Sequence, residues 1–319
     1  MAVVDYTLLY RDEVELQDLA ARSTDWDLFL SAYNASERVQ RIFETVQSPT
    51  KHWVVHPEYR YDSEELPADD VFAPASLNEA EFWSAYLADA QPALAGRRIC
   101  VDLTGFMRPH LMFLVHLLFL RNVTRFTALY TDPERYVREE NTEFTKGPVV
   151  EVRQVAGFEG VHEPDTSNDL LIIGAGYDDE LIRRVAESKA NARKLELFGL
   201  PSLQPDMYQQ SVIRAARAAE AVGAAAETDV LFAPANDPFV TAQVLRDRVK
   251  AENQRRPITN LYLTSLGTKP QALGFALYFL TERRRTATSM LFPYAQSYTR
   301  ETTKGIARTW VYEVELLPA

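Results

Sequence analysis

Two short stretches carry the residue types best suited to holding an anion. Residues 104–110 read TGFMRPH and residues 264–271 read TSLGTKPQ, each after an apolar strand-like run and before an apolar helix-like run. Pro109 and Pro270 fall at the expected first helical position, where a missing N–H leaves nothing unpaired that was not unpaired already. Arg108 and Lys269 then stand at or near a helix cap, beside the positive end of the helix dipole. A cation there costs roughly 0.3–1 kcal/mol. A sequence that carries this cost twice points to a compensating anion, most simply a phosphate held by backbone N–H groups, a hydroxyl and the cation. Thr104, Gly105 and Arg108 make one candidate set; Thr264, Ser265, Gly267, Thr268 and Lys269 make the other. The alternative is that each cation pairs with a carboxylate such as Asp102 or Glu301, or extends into water.

His110 follows Arg108–Pro109 in the first helical turn. An imidazole there is placed to donate to a phosphate or to act as general acid in cleaving one, and it is the one catalytic candidate; the alternative is a solvent-facing first-turn residue. His52 and His56 share a face of the strand-like KHWVVHPEY (51–59), with Glu58 the nearest carboxylate. A metal pair is conceivable there, but neither a metal nor another cofactor is expected. His116, in a Leu/Phe-rich helix, reads as a core histidine. No phosphate loop of the G-x-x-x-x-G-K-[ST] type, no G-x-S-x-G elbow and no H-E-x-x-H occurs.

A second wall for a ligand is offered by SAYNASE (31–37) and GAGYDDE (174–180), each an expected strand-to-helix turn. Tyr33 or Tyr177 could stack on a base, and Asn34 or Asp178 could read its edge. The alternative is an ordinary capped turn. GAG alone is no dinucleotide fingerprint, because the third glycine of G-x-G-x-x-G would fall on Asp179.

The elements that must position these residues alternate between strand-like and helix-like runs, which predicts an α/β fold: Rossmann-like, with mainly parallel sheets and covering helices. The order is written twice. Arg108–Pro109 aligns with Lys269–Pro270 about 161 residues later. TKG at 145–147 aligns with TKG at 303–305, and Asp27–Leu28 with Asp169–Leu170. Two tandem pseudo-repeated halves are therefore expected, residues 1–165 and 166–319, the second with an inserted helix-rich unit at 203–249. The competing reading is that any two α/β units share such an order.

The bulk composition bounds the partners. Of 319 residues, 46 % are hydrophobic and 25 % charged, and the formal net charge is −11. A net-acidic chain has little attraction for long nucleic acid or anionic lipid, though one or two placed cations suffice for a small anion. The single cysteine, Cys100, has no partner for an internal disulfide and fits a reducing compartment. Acidic residues come too early at the N-terminus for a secretory leader, and no apolar run approaches ~18 residues. A cytoplasmic location without membrane association is expected.

The strand–TxxGTKP–helix turn resembles the signature turn of CARF domains, Rossmann-like sensors of cyclic oligonucleotides in prokaryotic immunity. Two such units in tandem are similar in layout to SAVED domains, which are two fused CARF-like units. The family's turn more often reads T-G-G-T-K; here Leu266 is an extra residue, and Phe106–Met107 stand where Gly–Thr would be expected. The resemblance carries over to Thr104, Gly105 and Arg108 in one half, and to Thr264, Gly267, Thr268 and Lys269 in the other. It implies a binding protein for a phosphorylated, nucleotide-like ligand in a defence setting, acting through a protein partner or as a homodimer. A phosphodiesterase or transferase on the same scaffold, and a non-catalytic scaffold subunit, remain the alternatives.

Overall fold

The computed structural model describes residues 5–68, 70–92, 94–136, 145–204, 207–222, 229–300 and 303–316. The chain divides into two compact units, one of residues 8–146 with 297–318, the other of 147–296 with 1–7.

The first unit begins with β1 (Arg11–Val14), α1 (Leu16–Arg22), β2 (Leu28–Ala32), α2 (Glu37–Thr45), β3 (Lys51–Val54), β4 (Val71–Phe72) and α3 (Glu79–Ala90). It continues with β5 (Ile99–Asp102), α4 (Arg108–Leu120), β6 (Arg125–Asp132) and β7 (Arg135–Tyr136). In β2 and β5 every residue is buried, as expected for central strands covered on both faces. On α2, Val39 and Ile42 recur at helical spacing and turn inward. On α4, Pro109 starts the helix and eight residues from Pro109 to Leu118 are buried, so it packs on more than one side.

The second unit runs β8 (Thr145–Gln154), β9 (Leu170–Gly174), α5 (Asp179–Ser188), β10 (Arg193–Gly199), α6 (Met207–Arg217) and α7 (Ala219–Val222). It then continues with β11 (Asp229–Ala233), α8 (Pro238–Arg255), β12 (Leu261–Ser265), α9 (Lys269–Tyr278) and β13 (Thr288–Tyr298). The chain finishes in the first unit with β14 (Thr303–Lys304) and β15 (Arg308–Glu315).

Both sheets are mixed and mainly parallel, with helices covering them: a Rossmann-like α/β architecture. The first has the order β1-β15-β6-β5-β2-β3-β4 and the second β11-β10-β9-β12-β13-β8. Read from opposite ends, the two orders match strand for strand once β1 is set aside. The closing strands are exchanged. β8, which ends the first half of the sequence, belongs to the second sheet; β15, which ends the second half, pairs antiparallel with β6 from Arg308↔Asp132 to Glu315↔Arg125. The expected boundary at 165/166 is thereby corrected: the chain leaves the first unit at residue 146 and returns to it at 297. β15 covers the outer side of β6, which would otherwise present eight residues of unpaired backbone. The matched TKG glycines adopt the same left-handed backbone, with φ of 78° at Gly147 and 71° at Gly305.

The inserted unit is also corrected. β11 pairs parallel with β10 as β4 pairs parallel with β3, and each is followed by a helix capped by Asp237 or Asn78. DVLFAPAN (229–236) is the counterpart of DVFAPAS (70–76). Within residues 203–249, only α6 and α7 lack an equivalent among the described elements of the first unit.

Candidate functional site

In the first sheet, β2 leads through α2 to β3 on one side, while β5 leads through α4 to β6 on the other. β2 and β5 are adjacent and parallel, so the strand order reverses between them, where open α/β sheets place ligands. In the second sheet β9 and β12 stand in the same relation. Each reversal is flanked by both turns singled out in its half of the sequence: 33–36 with 103–107, and 175–178 with 266–268. A glycine lets each pair of turns touch. A Cβ on Gly105 would lie 1.9 Å from the carbonyl oxygen of Ala32, and one on Gly176 would lie 2.1 Å from that of Leu266.

At the first reversal, buried Asp102 accepts from Ser31 Oγ at 2.9 Å and from the Thr104 amide at 3.0 Å. Burial pushes its carboxyl above the usual range, against those hydrogen bonds and the nearby Arg38 charge. The Thr104 hydroxyl accepts from the Thr131 amide at 3.1 Å, so it joins the turn to β6. Asn34 Oδ1 accepts from the amide and hydroxyl of Ser36, the capped-turn alternative. Tyr33 packs its ring against Trp53 and Tyr61 at centroid distances of 5.5 and 5.1 Å, and its hydroxyl donates to Glu65 O. Base stacking at Tyr33 is therefore corrected: its ring is part of an aromatic cluster.

Arg108 is half-buried at the first position of α4. Its charge acts on both Tyr59, beyond β3, and Tyr130, on β6. Those two tyrosines lie on either side of β2 and β5 in the sheet order. A second arginine, which sequence reasoning missed, faces the same region. Arg38 of α2 is buried, donates to Thr131 O at 2.6 Å and stacks over Tyr130 at 5.9 Å, while its Nε has no hydrogen-bond partner. The signal was present: Arg38 occupies the apolar-face position one turn before Ile42.

At the second reversal, the Thr268 hydroxyl donates to Ala235 O and caps α9, accepting from the Gln271 amide at 3.3 Å. Gln271 Oε1 in turn accepts from the Thr268 amide at 3.2 Å. Asp178 caps α5 through Leu181 N. Thr264 Oγ1, Ser265 Oγ and Gln271 Nε2 are buried without hydrogen-bond partners. Lys269 and Tyr177 are half-buried and Gly267 is buried. The carboxylate Glu301, offered as a partner for these cations, lies outside the described residues.

His110 is not at the crevice surface. It is fully buried, its Nε2 lies 3.1 Å from Glu58 Oε1, and the rings of Phe82 and His56 lie against it, with Phe106 packed on His56. The general-acid expectation is thereby corrected, because α4 turns this side chain inward, away from any bound phosphate. His52 is separate from this group; its Nδ1 bonds the Tyr86 hydroxyl at 2.8 Å. Among the described residues, His56, Glu58 and His110 offer potential metal-ligand atoms all within 4.8 Å of one another.

No protein-family model matches the chain, and no curated protein matches it. Among solved structures, the chain is similar to a CobK precorrin-6A reductase at 13 % identity, covering 84 % of this chain and 89 % of that one, with a TM-score of 0.25. A likeness at that level carries no argument about activity. Among the described residues, no helix is long and apolar enough to cross a membrane.

Proposed function

We propose that this chain binds a phosphorylated, nucleotide-like ligand and acts through a protein partner rather than by chemistry of its own. The observation that carries the reading is the pair of guanidiniums, Arg38 and Arg108, carried by the two helices that leave the reversal between β2 and β5. Helix N-termini supply backbone donors at the same place. The second unit offers one cation at the corresponding reversal, Lys269 at the N-terminus of α9, with Ser265 at the end of β12. The turn's resemblance to cyclic-oligonucleotide sensors makes that class the first to try, in a prokaryotic defence setting. The inward position of His110 weighs against the phosphodiesterase alternative.

The test is calorimetric titration and thermal shift with inorganic phosphate, mononucleotides and cyclic di- and oligonucleotides. At least one of the phosphorylated compounds should bind. Arg108→Ala should weaken that binding roughly ten- to a hundredfold, the worth of a charge-assisted hydrogen bond. Lys269→Ala reports the second unit separately. Binding that neither substitution alters, or none across the whole panel, would remove the proposal.

A further inference from the structure

The exit from β3 and the first turn of α4 bring two imidazoles and a carboxylate to one buried point. Pro57 starts a single 3-10 turn, Pro57–Tyr59, that holds His56 and Glu58 together. His110 comes from the first turn of α4, where the Trp83 indole donates to its carbonyl at 3.0 Å. His56 and His110 are fully buried, Glu58 is 7 % exposed, and the two imidazole rings lie 4.6 Å apart. Glu58 Oε2 and His110 Nδ1 are buried without hydrogen-bond partners. A buried carboxylate with a single 3.1 Å hydrogen bond is poorly compensated, and a coordinated cation is one of the few ways to make good the deficit.

We propose that His56, Glu58 and His110 bind one divalent transition-metal ion, zinc by the chemistry of the donor set. Two neutral imidazoles and one carboxylate are a zinc-type combination, and hard oxygen-seeking ions such as magnesium or calcium favour all-oxygen sites instead. Bonds of about 2.0–2.2 Å in a tetrahedron put donors roughly 3.4 Å apart. The Glu58–His110 distance of 3.1 Å is already close to that, and the whole set needs only a modest contraction from 4.8 Å. The Phe82 and Phe106 rings wall the group, so the ion serves to fasten the β3 exit to α4. It does not depend on the anion reading, although the turn it fastens also carries Arg108.

The experiment uses the full-length chain without a polyhistidine tag, loaded with zinc or cobalt(II) and dialysed. Elemental analysis should find one equivalent retained. X-ray absorption at the zinc edge should show two imidazoles, a carboxylate oxygen and one water, and cobalt(II) should give the intense visible bands of a four-coordinate site. Glu58→Gln and His110→Asn should each lower zinc affinity by more than about a hundredfold. His52→Gln, whose imidazole bonds Tyr86 and packs on Phe72 away from this group, should leave it unchanged. No retained metal in the unsubstituted chain, a ligand shell of sulfur or of water alone, or full zinc binding by both variants would overturn the proposal. Should the variants fail to fold, the absorption spectrum of the unsubstituted chain decides by itself.

Discussion

Glu196 lies on β10 between Ile173 of β9 and Val230 of β11, with its side chain buried and Oε1 unpartnered. Burial pushes its carboxyl up to about 7. The native chain therefore holds this proton at a pH where the unfolded chain, near 4.5, has released it. The stability Glu196 allows is full below that unfolded value, declines as pH rises and is lost through about 7. Glu196→Gln should raise stability at pH 8 by on the order of 1–3 kcal/mol, with no gain at pH 4. Urea unfolding at the two pH values checks it. Side-chain roles were the least legible level of the sequence. Thr104 and Thr268 have the right chemistry for a phosphate, yet that same chemistry serves the turns they stand in. His110 read as outward because a first-turn position beside Arg108 says nothing about which side of the helix the core lies on.

The helices and strands were legible where apolar period and stop signals agree. EAEFWSAYLADA is α3 residue for residue, started by the Asn78 side chain accepting from Ala80 N and Glu81 N. The strand ends were harder: Tyr33 lies past the last residue of β2, yet its amide still donates to Val54 O at 2.9 Å. What no periodicity announces is the contact of neighbouring turns at Gly105 and Gly176. Gly105→Ala and Gly176→Ala force the backbones apart, and each should cost more than about 2 kcal/mol, by analogy with overpacking a core. Thermal unfolding measures the cost, and a loss below half of that would mean the turns yield freely.

Over the molecule as a whole, the duplication was legible through Arg108–Pro109, Lys269–Pro270 and the two TKG stretches. The exchange of β8 and β15 was not, because a strand's sequence tells what it buries and not which sheet it completes. The repeated DVFAP and DVLFAP was present but obscured by the long loop before the first and by α6–α7 before the second. Residues 1–165 expressed alone keep β8 but lack β15. Such a fragment should form dimers in which each copy supplies the other's missing strand, as light scattering after gel filtration would show. A folded monomer would argue that β8 can close its own sheet.

The late position of β15 has a consequence for the chain as it is made. Translation delivers β6 more than a hundred residues before the segment at 308–315 that covers its outer side. Throughout that interval the nascent first unit carries an open seam, and a ribosome stalled in the second half would release a sticky, half-zipped product. The first sheet is thus complete only once residues 308–315 have emerged and paired.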